Sequence, residues 1–418
     1  MNRDVRIEMP YEAEWIIKKI RERGFEAFAV GGCVRDTLLG RTPGDWDITT
    51  SAKPEEVKEI FGKTVDTGLQ HGTVTIIKNR KGYEVTTYRI DGEYRDGRHP
   101  DSVEFTSSLL EDLKRRDFTI NAMAYSHETG IVDAFDGMGD LEKKVIRCVG
   151  CPRDRFTEDA LRILRAIRFA AQLGFSIEGE TYGAIREIAP NLKNVSKERI
   201  QVELTKLLTS AHPEKIAMVE DTGISPYVTG DFPLVFQTER ERMAGGISRP
   251  EPFSCLALLP PEKSMRWAGF LRHMEPDMVR RILKGLKLDN ETVDNGKAMA
   301  GAAQASLGLE KAGIRRFLSR MTPYQFDGCL RLKALDKDPR TEEIRRLWEE
   351  IEKDGDCVSL KELAVGGGDL LAAGMEGKEI GETLRRLLEL VLEDPSLNRR
   401  DLLLEKLRER RNKKSHLL

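Results

Sequence analysis

No apolar run in this 418-residue chain approaches the roughly 20 residues that a membrane-spanning helix needs. The opening MNRDVRIEMPYEAEW lacks the apolar core of a secretory signal. Both absences predict a cytoplasmic protein with no membrane partner. The six cysteines are scattered, and Cys148 with Cys151 makes the one close pair. Without a second pair or a histidine at ligand spacing, structural zinc is not expected. None of the six histidines precedes an aspartate, so no His-Asp metal-hydrolase signature is present. A basic excess is missing too, with 68 Lys and Arg against 70 Asp and Glu. Binding to nucleic acid therefore needs a local basic surface. Internal repeats and low-complexity tracts are likewise absent. What remains is 33% charged and 39% hydrophobic residues, the balance of a soluble globular chain with two to four domains.

The densest chemical signal is GGCVRDTLLGRTPGDWDITT. Asp45 and Asp47 stand at i and i+2, which in an extended strand puts both carboxylates on one face. Such a pair can hold two divalent cations about 4 Å apart and clamp the attacking and leaving oxygens of a phosphoryl transfer. Gly31-Gly32 follows the apolar Phe28-Ala29-Val30 and precedes a helix-like run from Val34 to Leu39. A glycine turn opening into a helix lets backbone N–H groups approach phosphate oxygens. Alone, a Gly-Gly is most often an ordinary turn and Asp-x-Asp a capped loop. In this order, with β-prone Ile48-Thr49-Thr50 next, they point to nucleotide chemistry.

Periodicity predicts a helix over Glu12 to Arg23 and strands over Thr73 to Ile77 and Tyr83 to Ile90, joined by a turn at Asn79 to Gly82. The polar run DGEYRDGRHPDSVEF, 91–105, reads as a mobile loop. From Thr157 onward β-signals fade and helical patterns run to the C-terminus. Pro and Gly breaks at Pro226, Pro233, Gly245-Gly246, Pro250, Pro252, Pro260-Pro261 and Gly366 to Gly368 punctuate them.

Two further segments carry charge in a pattern. Lys114, Arg115, Arg116 and Asp117 precede an apolar run and can neutralise triphosphate or RNA backbone. From composition alone, a solvated helix start with Asp117 or Thr119 as cap explains them better. In TEDALRILRAIRFAAQLGF, Thr157 is the expected N-cap, Glu158 and Asp159 the acidic first turn, and Gly174 the stop. Leu161, Leu164 and Phe169 supply a buried face. Asp159 and Arg162 are then adjacent at i, i+3, with Arg165 and Arg168 continuing the spacing. An ordinary salt bridge on an amphipathic helix accounts for this. A sharper alternative is a rigid acceptor–donor pair matching the edge that cytosine (N3, N4) and adenine (N1, N6) share. Uracil and guanine would mismatch both partners, at roughly 1–3 kcal/mol each.

In motif order and spacing the chain resembles the class II tRNA nucleotidyltransferases, the bacterial CCA-adding enzymes of the polymerase-β-like nucleotidyltransferase superfamily. The matching motifs are GGxxRD with DxD from Gly31 to Asp47, RRDFTINA from Arg115 to Ala122, DxxGDL from Asp136 to Leu141, EDxxRxxRAxRFAAxLGF from Glu158 to Phe175, and SKERI from Ser196 to Ile200. The resemblance is close over about Gly24 to Ile200 and weaker to the end.

It implies an α+β fold: an N-terminal mixed-sheet nucleotidyltransferase head (1–147), then an all-α neck (148–210), body (211–335) and tail (336–418). It further implies template-independent addition of C, C and A to the 3′ end of tRNA from CTP and ATP, with release of pyrophosphate. Asp45 and Asp47 would bind catalytic Mg2+, and Gly31, Gly32, Arg35 and Asp36 would lie around the triphosphate. Arg115, Arg116 and Asp117 would shape the nucleotide site, with Arg165 and Arg168 beside it, and Asp159 and Arg162 would read the base. The 91–105 loop corresponds to the family's flexible loop, associated with the change from CTP to ATP. Glu84 is a candidate third carboxylate, although a plain exposed strand residue explains it better. The basic residues Arg399, Arg400, Lys406, Arg408, Arg410, Arg411, Lys413 and Lys414 would touch RNA backbone, or form a solvated terminal helix. The same core motifs occur in A-adding tRNA nucleotidyltransferases and bacterial poly(A) polymerases, which stand as the alternative. Oligomeric state is not encoded in these patterns.

Overall fold

The computed structural model describes residues 6–92, 102–244 and 253–415. The chain separates into two compact units, residues 1–257 with 285–288, and residues 258–284 with 289–418. That division falls inside the 211–335 segment.

The first unit begins with helix α1 (Tyr11–Arg21), whose buried Ala13, Ile16, Ile17 and Ile20 form one apolar face. Strand β1 (Ala27–Val30) is buried along its whole length, as befits a central strand. Next come α2 (Gly32–Leu38), β2 (Ile48–Thr50), α3 (Pro54–Ile60), β3 (Thr64–Gly68), β4 (Thr73–Lys78) and β5 (Lys81–Thr87). β4 and β5 close through Asn79 and Arg80, both with positive φ (50° and 64°), so the turn is the two-residue type whose twist matches a hairpin. The turn is thus tighter than the expected Asn79 to Gly82, because Lys81 and Gly82 already pair with Lys78 and Ile77.

Short strands β6 (Arg89–Asp91) and β7 (Val103–Phe105) pair antiparallel, so both ends of the expected 91–105 loop are strand. Its middle, 93–101, lies outside the described residues, as does the Gly245 to Pro252 run. Helix α4 (Leu109–Lys114), strands β8 (Met123–Ser126) and β9 (Gly130–Asp133), and helix α5 (Gly137–Lys143) complete the head. Its sheet has the order β3-β4-β5-β2-β1-β8-β9, with β2 and β5 parallel and its other neighbours antiparallel. Phe28, Val30, Tyr88, Leu113, Ala122, Ala124 and Val149 pack into one core cluster there.

Strand β10 (Val145–Ile146), α6 (Pro152–Glu158), α7 (Leu161–Leu173), strand β11 (Ser176–Ile177), α8 (Gly179–Ile188) and α9 (Lys197–Leu208) follow. The expected all-helical neck therefore carries one small strand, β11, parallel to β10. A second correction concerns the expected single helix from Thr157. Thr157 lies inside α6, where its Oγ1 donates to the Arg153 carbonyl at 2.8 Å. Asp159 is extended (φ −144°, ψ 102°) and separates α6 from α7, and its Oδ1 accepts from Leu161 N at 3.1 Å. A short acceptor side chain that bonds the following backbone competes with helix continuation. Gly174 ends α7 with φ +71° as expected.

Helices Lys263–Phe270, Asn290–Gln304, Pro323–Leu335 and Thr341–Asp354 lead the second unit, and Lys378–Glu393 with Arg400–Ser415 end it. Buried Arg315 donates to the Leu392 carbonyl (2.7 Å), the Glu393 carbonyl (3.0 Å) and Asp356 (2.7 Å). A cation thereby satisfies the orphan carbonyls at the end of the Lys378–Glu393 helix. Of the terminal basic residues, Arg399 pairs with Asp401 and Arg400 with Asp369. The side chains of Arg410, Arg411, Lys413 and Lys414 lie outside the described residues. Among the described residues no helix is long and apolar enough to cross a membrane. The fold class is α+β, a mixed-sheet head followed by a mostly helical remainder.

The DxxGDL segment shows how tightly the head is built. Asp133 accepts from Gly137 N and Met138 N at 2.8 Å each, capping α5. A Cβ on Gly137 would lie 2.4 Å from the Thr119 carbonyl oxygen, a contact that backbone must move to relieve. Gly137→Ala is expected to destabilise the protein by about 1–3 kcal/mol, read as a lowered midpoint in thermal unfolding. An unchanged midpoint would contradict this packing.

Candidate active site

Asp45 and Asp47 stand immediately before β2 rather than within it. The ladder nevertheless continues through them, since Val30 N donates to the Asp47 carbonyl at 3.0 Å. Trp46 points into the core while Asp45 and Asp47 face outward, so the expected alternation holds. The two carboxylates open into a cleft of about 550 Å3. Lost hydration, with Asp45 and then Glu84 nearby, pushes the Asp47 carboxyl up to about 6, and Arg116 opposes the rise. Glu84 on β5 is thus part of the electrostatic surroundings of the pair.

Gly31 turns the chain from β1 into α2 at φ 78°, a conformation that strains any residue with a Cβ. Its Cβ would also stand 3.2 Å from Arg116 Nη1, so a side chain there would crowd the arginine. Both Gly31 and Gly32 line the cleft. Arg35, buried on α2, bonds Asp36 through Nε and Nη2 at 2.9 Å and Asn121 Oδ1 through Nη1 at 2.6 Å. Arg35 lines the cleft, whereas Asp36 holds it from behind.

The Arg115–Asp117 segment follows helix α4 instead of starting one, so the solvated-cap expectation is corrected. Fully buried Asp112 accepts from Arg115 at 2.7 Å, from Arg116 at 3.2 Å and from Thr49 Oγ1 at 3.1 Å. The acid that orients these arginines sits three and four residues earlier on the same helical turn. Asp117 is buried and accepts from Phe118 N (2.9 Å) and from Arg165 Nε (2.8 Å) and Nη2 (2.5 Å). Burial alone would raise its carboxyl, but Arg165 and Arg162 outweigh that and hold it at about 2.

The neck supplies the opposite wall. Arg162, Arg165 and Arg168 all line the cleft with Phe169. Arg168 donates to Glu203 of α9 at 2.5 Å and to Gln172 at 2.7 Å. Arg162 donates to Glu158 at 2.6 Å and to the Arg155 carbonyl at 3.1 Å. Asp159 accepts from Arg199 of α9 at 2.7 Å. The cleft is therefore lined by every residue read as a nucleotide or metal candidate except Asp36 and Glu84. Asp112, Asn121, Arg199 and Glu203 were not singled out from the sequence. The helical spacing of Asp112 to Arg115 and Arg116 was the available signal, whereas Arg199 and Glu203 reach α7 through tertiary packing.

Two carboxylates suit a magnesium ion that takes its remaining ligands from substrate phosphates and water. Among the described residues no group of three or more His, Cys, Asp or Glu side chains is arranged to hold a metal ion. The donor chemistry fits: Asp45 and Asp47 face one cleft, with Glu84 adding to the negative charge around Asp47, and a cation would relieve their mutual repulsion.

Three family models match the chain: "Poly A polymerase head domain" over 27–147, "Probable RNA and SrmB- binding site of polymerase A" over 174–232, and "tRNA nucleotidyltransferase domain 2 putative" over 260–407. The CCA-adding enzyme of Geobacillus kaustophilus is 37% identical over 392 residues, covering 91% of this chain and 92% of its own. That of Lactiplantibacillus plantarum is 36% identical over 413 residues, 97% of each. Among solved structures, the Bacillus stearothermophilus CCA-adding enzyme in complex with CTP superposes with a TM-score of 0.81. It is 32% identical and covers 97% of this chain and 100% of that one. By sequence over nearly its full length, and by fold, the chain belongs to the family of bacterial CCA-adding enzymes.

Proposed function

We propose that the protein adds C, C and A to the 3′ end of tRNA, using CTP and ATP and releasing pyrophosphate. The observation that carries this reading is the cleft itself. A carboxylate pair on the head faces an arginine-lined neck wall, and Asp159 and Arg162 stand in the same cleft. The RNA 3′-hydroxyl attacks the α-phosphate in line with the departing pyrophosphate. Asp45 and Asp47 would hold Mg2+, which when bound lowers the pKa of that hydroxyl and stabilises the leaving group. Gly31 and Gly32 keep the backbone free of Cβ atoms where phosphates approach, and Arg35, Arg116 and Arg165 offer N–H donors to phosphate oxygens. Asp159 accepts and Arg162 donates, so C and A meet matched partners while U and G do not.

Arg199 already fixes Asp159, and Glu158 already fixes Arg162. Second partners of this kind limit side-chain freedom before a nucleotide arrives. The tRNA partner is supported by the matched RNA-binding segment at 174–232. A cytoplasmic location suits both a tRNA substrate and six unpaired thiols.

Two substitutions test the roles. Asp47→Ala is expected to abolish nucleotide addition while leaving tRNA affinity largely intact in a binding assay; retained turnover would remove the metal assignment. Asp159→Ala is expected to relax rejection of UTP and GTP by about tenfold to a hundredfold, the equivalent of one lost buried partner. Unchanged selectivity in competition assays would sink the Asp–Arg reading.

A further inference from the structure

Phe169 offers no polar atom, yet three guanidiniums converge on its ring. Their carbons lie 4.9 Å (Arg35), 5.5 Å (Arg165) and 3.8 Å (Arg168) from its centroid. Arg35 comes from α2 of the head, whereas Arg165 and Arg168 share α7 with Phe169. The ring is only 5% exposed, and Phe118 of the head meets it edge to face at 5.7 Å and 80°. All four residues of this cluster line the cleft that holds Asp45 and Asp47.

Three like charges in one place repel, and each has a carboxylate that offsets the repulsion: Asp36 for Arg35, Asp117 for Arg165, Glu203 for Arg168. Those acids stand on different elements and hold their arginines separately. The aromatic ring is the group common to all three, and its quadrupole attracts a cation over the face. Arg35 bonds once each through Nε, Nη1 and Nη2, which leaves further N–H groups on both Nη atoms for an anion.

We propose that Phe169 is a positioning residue for the triphosphate of the incoming nucleotide. Its ring gathers one head arginine and two neck arginines into a single anion-binding array. The inference rests on the nucleotidyl-transfer reading above and adds a division of labour to it. Asp159 and Arg162 discriminate the base, whereas the Phe169 array grips the part that CTP and ATP share. Loss of the ring therefore weakens both nucleotides equally and leaves base choice alone.

The test compares the full-length wild-type protein with Phe169→Leu and with pentafluorophenylalanine at position 169. The fluorinated ring is close to phenylalanine in shape, but its face no longer attracts cations. Steady-state addition is measured with CTP on tRNA lacking its CCA end and with ATP on tRNA ending in CC, with inorganic tripolyphosphate as a base-free competitor. The KM for CTP and ATP and the inhibition constant of tripolyphosphate are expected to rise together by about tenfold. The kcat stays within about twofold, and rejection of UTP and GTP is unchanged.

An unchanged KM with the fluorinated ring would overturn the proposal, and so would a rise confined to one nucleotide. If Phe169→Leu fails to fold, the fluorinated protein decides. A wild-type protein that incorporates no nucleotide at all would overturn the nucleotidyl-transfer reading, and this inference with it.

Discussion

Buried carboxylates that each hold an arginine at the edge of one cleft are the constraint on which the rest of the site depends. Asp117 with Arg165 ties the segment after α4 to α7, and Glu203 with Arg168 ties α9 to α7. In the second pair both side chains are 7% exposed. Removing one member of so buried a pair costs on the order of 3–5 kcal/mol, mostly because the other charge is left without water or partner. The arginines thus stay ionised and oriented in a place where burial alone would disfavour them. Burial does push the Arg168 pKa down, with Glu203 working against it. A cleft for a polyanion needs cations held still and kept separate, and acids placed behind them provide that.

The same principle runs through the other motifs. Asp112 fixes Arg115 and Arg116, and Asp36 fixes Arg35. Asp45 and Asp47 are the exception, since they face the cleft with acid neighbours. The site therefore sets positive charge along its walls beside a carboxylate pair that stands just before β2. Adjacent surfaces of opposite preference are what a metal-bound triphosphate presents to a protein.

Much of this was legible in the sequence because it is local. The glycine turn, the short helix after it and the alternation of Asp45, Trp46 and Asp47 follow from backbone rules over a few residues. The β4–β5 hairpin and the Gly174 stop are of the same kind. A local rule fails where a stronger partner competes with it. Thr157 to Arg168 has the periodicity of one helix, but Asp159 satisfies Leu161 N and the chain breaks there. Arg115 to Asp117 has the composition of a solvated helix start. Burial against Arg165, forty-eight residues on, gave it another role. Arg199 and Glu203 could not be read as partners of Asp159 and Arg168 without knowing that α9 lies along α7. The two-residue β10–β11 pairing has too little sequence to leave a pattern.

Selection of C and A by the protein's own side chains, in a fixed number of steps, is the claim at the centre of this account. The direct measurement supplies the purified protein, with magnesium and all four nucleoside triphosphates together, with tRNA ending at its discriminator base and with an unrelated RNA, and sequences the product ends. The account predicts C, C and A in that order on the tRNA, then a stop, with no tail on the unrelated RNA. Failure to add C to that tRNA, or long A tails on the unrelated RNA, would contradict it.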